Sequence, residues 1–290
     1  MPDYHKALPG DEDLYYKILY EREGWGKPIP EQFVIWLRNI FQNGTFGYSN
    51  YWKMDSSLVY FRKIPATIMF QLVPYILSTI LGISLGIIAA LRKNKVSDHV
   101  ISVGVMILIS VPSFVVAVLG QYFFVWEWNI FPQPWVATPS EIAEFGFSWV
   151  VATYALPTII MTFTGSAGWA RNIRAELTEQ LTQDYMLLAR SKGLSHAQAT
   201  VRHALKNSLV PFAPAIFLGF VGLLSGSMIM ERLFRVDGTA NIYLTALNNK
   251  DYPVLLLIVV FTNFLGFTLT ILGELSYTLM DPRMRVGSGK

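Results

Sequence analysis

This chain predicts an all-α membrane protein, on three observations. Just over half of its 290 residues are apolar, only 15% are charged, and the mean hydropathy is +0.38. A soluble domain carries roughly a quarter charged residues, because its surface must face water. Second, five stretches lack Asp, Glu, Lys and Arg, and each can supply the about 20 helical residues that cross a bilayer core of about 30 Å. Third, the connecting loops alternate between rich and poor in Lys and Arg, as loops on opposite membrane faces do.

Residues 1–64 read as a hydrophilic segment outside the membrane. Within it, Pro30 stands where a helix can begin and Gly44 where one can stop. Phe33, Leu37, Ile40 and Phe41 share a helical face with Trp36 alongside, which predicts a short amphipathic helix on the outer membrane surface or against the spans. Met1 is followed by no apolar signal region, so nothing visible would carry this segment across. The expectation is an upstream, sixth membrane helix missing from this sequence.

The uncharged stretches run Ile68–Leu91, Val100–Trp126, Phe145–Ala170, Asn207–Met230 and Tyr252–Gly273. They place spans near 68–91, 100–126, 147–170, 208–230 and 253–279 in a domain of residues 65–281. Pro74, Pro112, Pro157, Pro211 and Pro214 lie inside them, and each kinks a helix and frees a carbonyl that neighbouring helices can satisfy. Gly82 and Gly86 are four apart, as are Gly222 and Gly226, a spacing that lets a second helix approach one face closely.

The basic loops carry Arg92, Lys93 and Lys95, then Arg171, Arg174, Arg190, Lys192, Arg202 and Lys206, then Arg283, Arg285 and Lys290. These are the cytoplasmic set, so the tail 282–290 is cytoplasmic and residues 1–64 are extracytoplasmic. The Glu127–Glu144 loop has no basic residue, and Glu231–Asp251 has only Arg232, Arg235 and Lys250. Trp126, Trp128 and Trp135 cluster at the outer boundary, where interfacial aromatics sit.

The loop at 171–207 is too long for a plain connector between adjacent helices. Thr178–Lys192 has helical composition, with Arg190 and Lys192 in its last turn, where cations suit the helix dipole. Gly193 is a natural stop, and Ser195 with Gln198 forms a capping box for a second helix running through Arg202 and His203 to the fourth span. The prediction is a helical hairpin that holds Leu194 at its tip. A hairpin tethered at both ends to membrane spans could hardly enter a DNA groove, and positive-inside bias explains any single cation. A rigid docking element for a cytoplasmic partner explains the whole arrangement.

The run Asp184 to Ser195, continuing through Arg202-His203-Ala204-Leu205-Lys206-Asn207 to Pro211, closely resembles the cytoplasmic loop of binding-protein-dependent ABC importer permeases. It is most similar to the oligopeptide, dipeptide and nickel branch, B-type subunit. Further matching stretches are Pro28–Ser49 with Gly44, Gly47 and Tyr48, then Ile64-Pro65-Ala66-Thr67, Lys250-Asp251-Tyr252-Pro253 and Asp281-Pro282-Arg283-Met284-Arg285. The resemblance implies a type I ABC importer transmembrane domain with a coupling helix at the Gly193 loop, seated in a cleft of a separate ATPase. By position, Ala189 and Gly193 match the motif's small residue and turn glycine, whereas Leu187 and Leu188 replace its Glu-Ala pair. The later Ile-x-Leu-Pro portion is replaced by His203-Ala204-Leu205-Lys206, a departure usual in the peptide branch. The residues expected to couple are Tyr185, Ala189, Arg190, Lys192, Gly193, Leu194, Ser195, Arg202 and His203. The partners implied are a homologous permease subunit, two cytoplasmic ATPases and an extracytoplasmic solute-binding protein in a prokaryotic inner membrane. The family also carries an additional N-terminal helix. A peptide is the expected solute, with nickel or another small solute as the alternative.

No enzyme is expected, and no cofactor or metal. There is no Cys, and His5, His99, His196 and His203 form no metalloprotease pair. Gly287-Ser288-Gly289-Lys290 resembles the end of a phosphate loop, but position 284 is Met and no Ser or Thr follows Lys290. An ion-coupled secondary transporter usually buries ionisable groups at mid-membrane; these spans bury none, and Glu274 lies near the cytoplasmic end of its helix. Which residues line the solute path is not legible in the sequence.

Overall fold

Three helices of the computed structural model are long and apolar enough to cross a membrane: Ser56–Leu91, Phe147–Gln180 and Tyr252–Leu275. The structure describes residues 26–280 together with Lys17, Tyr20, Glu21 and Gly24. The Asp281–Arg285 stretch, the Gly287–Lys290 run and His5 lie outside the described residues. In chain order come α1 (Ile29–Arg38), β1 (Tyr48–Ser49), β2 (Met54–Asp55), α2 (Ser56–Phe61), α3 (Ile64–Leu91), α4 (Val96–Ser110) and α5 (Ser113–Gln121). Then follow α6 (Pro139–Phe145), α7 (Phe147–Gln180), α8 (Asp184–Ser191), α9 (His196–Ala199), α10 (Lys206–Leu209), α11 (Ala213–Ser225), α12 (Met228–Leu233), α13 (Thr239–Asn248) and α14 (Tyr252–Met280).

The second and fourth predicted spans are broken. Val96–Ser110 and Ser113–Glu127 meet at a 94° bend. Pro112 stands at that break, holding extended backbone as the cap of α5, because proline has no N–H to continue the ladder from α4. In the fourth stretch, Pro211 sits in a 3₁₀ turn at Val210–Phe212, and α11 ends at Gly226 with φ 74°. By contrast Pro74 and Pro157 are absorbed inside α3 and α7.

The described residues fall into two compact units, one within Met1–Ile64 and Ile242–Asn263, the other within Pro65–Asn241 and Phe264–Lys290. In the first, Asp55 caps α2 by accepting the Ser57 N–H at 2.8 Å and also takes the Thr45 hydroxyl. Asp251 ties the β-hairpin to the start of α14: its Oδ2 accepts the Ser49 hydroxyl at 2.5 Å and the Tyr51 N–H at 3.1 Å. Val59, Tyr60, Ile242, Ala246, Val254, Leu257 and Ile258 form the core of this unit. α1 is the amphipathic helix expected from Pro30 and Gly44. Gly44 is left-handed, the Trp36 indole N–H donates to the Phe46 carbonyl at 3.0 Å, and Ile29, Phe33 and Phe41 are exposed.

In the second unit, α3 and α7 meet through the predicted glycine face. A Cβ on Gly82 would lie 2.5 Å from the Ser166 carbonyl oxygen and from the Trp169 Cβ, and one on Gly86 would lie 2.8 Å from the Ala170 carbonyl oxygen. Helices in lipid gain little from hiding apolar surface, so such backbone approach is what holds them together. The second glycine pair does not do this. Gly226 lies beyond the end of α11, and a Cβ on Gly222 would meet nothing within 4 Å. Phe70, Ala117, Leu156, Ile160, Met230 and Phe234 are central to the main core of this unit.

Candidate functional site

The α8–α9 hairpin is built from three local devices. α8 ends in a Schellman motif: the Gly193 N–H donates to the Arg190 carbonyl at 3.0 Å and the Leu194 N–H to the Ala189 carbonyl at 3.2 Å. That turn needs a positive φ, and Gly193 has φ 91°. The predicted capping box then opens α9, with the Gln198 N–H on Ser195 Oγ at 3.3 Å and the Ser195 N–H on Gln198 Oε1 at 3.0 Å.

Where α8 begins differs from expectation. The sequence predicts one helix over Thr178–Lys192, but α7 continues to Gln180 and the chain breaks at Leu181–Gln183 before Asp184. No proline or glycine marks that break. α7 is therefore one rod of 34 residues, about 51 Å long. A bilayer core is about 30 Å thick, so part of the rod is left to carry the hairpin.

Packing decides which hairpin residues face outward. Met186, Ala189, Ala199 and Ala204 join Ala90 of α3 and Leu177 of α7 in a buried cluster. Ile87, Leu181, Tyr185 and Leu194 pack against it. Leu194 is thus half-buried rather than displayed at the tip. It is the residue after the turn glycine, whose apolar side chain commonly folds back on the helix in this motif. Tyr185 also turns inward, donating its hydroxyl to Gln180 Oε1 at 2.6 Å. Arg190, Lys192, Gly193, Ser195, Arg202 and His203 are exposed. The opposite face of α8 carries Leu187 and Leu188, 64% and 56% exposed. An apolar pair beside Arg190 and Lys192 suits an apolar cleft with an acidic rim on another protein.

Two buried charged clusters escape the sequence reading. Arg174 of α7 grips Asp98 of α4 with two hydrogen bonds, Nε to Oδ1 at 2.6 Å and Nη2 to Oδ2 at 2.9 Å. Asp98 also accepts the N–H of Asn94, a left-handed turn residue, at 2.9 Å. The α3–α4 turn is thereby fastened to α7, one helical turn before Leu177 enters the hairpin cluster. Although the Asp98 side chain is only 2% exposed, its hydrogen bonds from Arg174 outweigh the desolvation and hold the carboxyl well below the usual carboxylate range.

The second cluster centres on Glu231 of α12, which is wholly buried just beyond the fourth uncharged stretch. Its Oε1 accepts the Thr67 hydroxyl at 3.1 Å and its Oε2 the Ala240 N–H at 3.1 Å. Thr67 Oγ1 in turn accepts the Thr239 N–H at 2.8 Å. Burial pushes the Glu231 carboxyl up to about 6, against the pull of its Ala240 and Thr67 hydrogen bonds. Among the described residues no group of three or more His, Cys, Asp or Glu could hold a metal ion.

Residues 82–286 match the family described as binding-protein-dependent transport system inner membrane component. A probable peptide ABC transporter permease of Sinorhizobium fredii is 31% identical over 266 residues, 91% of this chain and 83% of that one. The dipeptide transport system permease DppB of Lactococcus lactis subsp. cremoris is 31% identical over 272 residues, 93% of this chain and 85% of that one. Among solved structures, an amino acid ABC transporter with histidines is similar at a TM-score of 0.46 and 17% identity, over 75% of this chain and 90% of that chain.

Proposed function

This chain belongs to the family of binding-protein-dependent transport system inner membrane components, and from that membership and the hairpin we propose that it is a permease subunit of a peptide importer, coupled through α8–α9 to a separate ATPase. The peptide solute is taken from the relatives in Sinorhizobium fredii and Lactococcus lactis, whose names specify peptide and dipeptide transport. The observation that carries the coupling role is the Schellman-terminated α8, clamped on the ends of α3 and α7 while presenting Leu187, Leu188, Arg190 and Lys192.

On this reading the basic loops and the hairpin are cytoplasmic, and the segment up to Ile64 is extracytoplasmic. A homologous permease subunit pairs with this one, two ATPases bind below, and a solute-binding protein docks outside. ATP-driven closure of the ATPases pulls on α8. The shared cluster passes that movement to α3 and α7 as a rigid body, and the bent helices switch between outward-open and inward-open states. The Asp98–Arg174 pair makes α4 part of the same body.

Reconstitution tests this directly. Peptide uptake into proteoliposomes should require ATP, the cognate ATPase and the loaded binding protein together. Uptake driven by an ion gradient with the ATPase left out would overturn the proposal.

A further inference from the structure

A cavity of about 250 Å³ lies between α3, α7 and α11, lined by Gln71, Pro74, Tyr75, Ser78, Met161, Gly219, Gly222 and Leu223. We propose that it is a stretch of the solute path that takes the uncharged main chain of a peptide, with Gln71, Tyr75 and Ser78 as its polar contacts and Gly222 as its floor. This rests on the importer reading above and names a place for its substrate.

The lining has the chemistry for such a passenger. Among the described residues that border the cavity none is charged, so neither peptide terminus is held by an ion pair. Its polar groups already give hydrogens to the fold. The Gln71 amide donates to the Leu223 carbonyl at 3.3 Å, the Tyr75 hydroxyl to the Ile216 carbonyl at 2.7 Å and the Ser78 hydroxyl to the Tyr75 carbonyl at 2.9 Å. What the hydroxyls still offer is oxygen lone pairs, and Gln71 adds its amide oxygen and a second amide hydrogen. Those groups suit the N–H and C=O of a peptide backbone whatever its side chains. The volume is below that of pockets that enclose a small ligand, about 300–1,000 Å³. A passage must let its passenger leave, so weak contacts are what conduction requires.

The glycines divide the work. A Cβ on Gly219 would lie 2.1 Å from the Tyr75 hydroxyl, so glycine there seats the tyrosine. Gly222 faces the cavity, and a Cβ on it would touch nothing within 4 Å. A side chain at 222 therefore finds open space at the border of the cavity without striking the fold, and replacing a helical glycine favours the helix.

The test uses the full complex with its partner permease, ATPases and binding protein. Gly222→Trp should lower ATP-driven peptide uptake by at least about tenfold, or about 1.4 kcal/mol of barrier, while ATP hydrolysis stimulated by the loaded binding protein persists. Gly222→Cys, in a chain with no other cysteine, should react with a charged, water-borne thiosulfonate and lose uptake as it does. Wild-type uptake by the Trp variant, or a cysteine that reacts only with lipid-soluble reagents, would overturn the assignment and place this face against lipid or a subunit. Failure of the importer reading looks different: the unmodified complex itself then shows no ATP-driven uptake, and the cavity proposal falls with it.

Discussion

Gly193→Val is expected to reduce ATP-coupled uptake by at least about tenfold, through backbone strain of about 1–3 kcal/mol placed on the bend, with membrane insertion unchanged. Crowding is not the cause, because a Cβ at 193 would meet nothing within 4 Å. The cause is the φ of 91°, which a β-branched residue strongly resists. Relaxing that strain means loosening the Leu194–Ala189 and Gly193–Arg190 hydrogen bonds. Leu194 would then leave the cluster it shares with α3 and α7, and α8 would move without its levers. Gly193→Asn is the control, since asparagine tolerates positive φ better than other side chains and should keep part of the activity. Uptake measured alongside insertion, in the same membranes, checks this. Wild-type uptake by the valine variant would remove the bend from the mechanism.

Glu231→Ala is expected to destabilise the chain by about 1–3 kcal/mol, the cost of leaving the buried Ala240 N–H unpaired, since the Thr67 hydroxyl can still turn to Thr239 Oγ1 at 3.2 Å. The Ala240 N–H and the Thr67 hydroxyl both lose Glu231 as acceptor, and α12, α13 and the start of α3 lose their common tie. Glu231→Gln keeps the shape and one acceptor oxygen, and should cost far less. The same site carries a pH dependence. The folded-state value of about 6 lies above the usual 4.5, so the folded chain holds this proton more tightly than the unfolded chain. The contribution of this site to stability is then fullest below pH 4.5, declines as pH rises to about 6 and is level above it. That difference corresponds to about 2 kcal/mol. Melting temperatures in detergent from pH 4 to 8 should show that slope in the parent chain and lose it in the Gln variant. A slope that survives Glu231→Gln would assign the pH dependence to other groups.

What was legible in the sequence was whatever local rules decide. The Ser195–Gln198 capping box, the positive φ of Gly193 and the Gly82–Gly86 contact each depend on a few neighbouring positions, and each is found where residue type and spacing predicted. The misses depend on tertiary partners. Leu194 turns inward because Ala90 and Leu177 offer a surface to pack on, and nothing near it in the chain announces them. Glu231 finds Thr67 across 164 positions, and Arg174 finds Asp98 across 76. A glutamate at the edge of an uncharged stretch was the one available hint. The break at Leu181–Gln183 carries no proline or glycine to announce it, and at Pro112 the proline marks where the helix can turn while packing sets how far.

Cross-linking from α8 tests the coupling role most directly. With Leu187→Cys as the chain's single cysteine, a short bifunctional thiol reagent should join it to the nucleotide-hydrolysing subunit in assembled membranes. Reagents that cannot cross the membrane should fail to reach it from outside intact cells. If the thiol introduced by Leu187→Cys instead reacts from the exterior and yields no product with that subunit, α8 is not the coupling element.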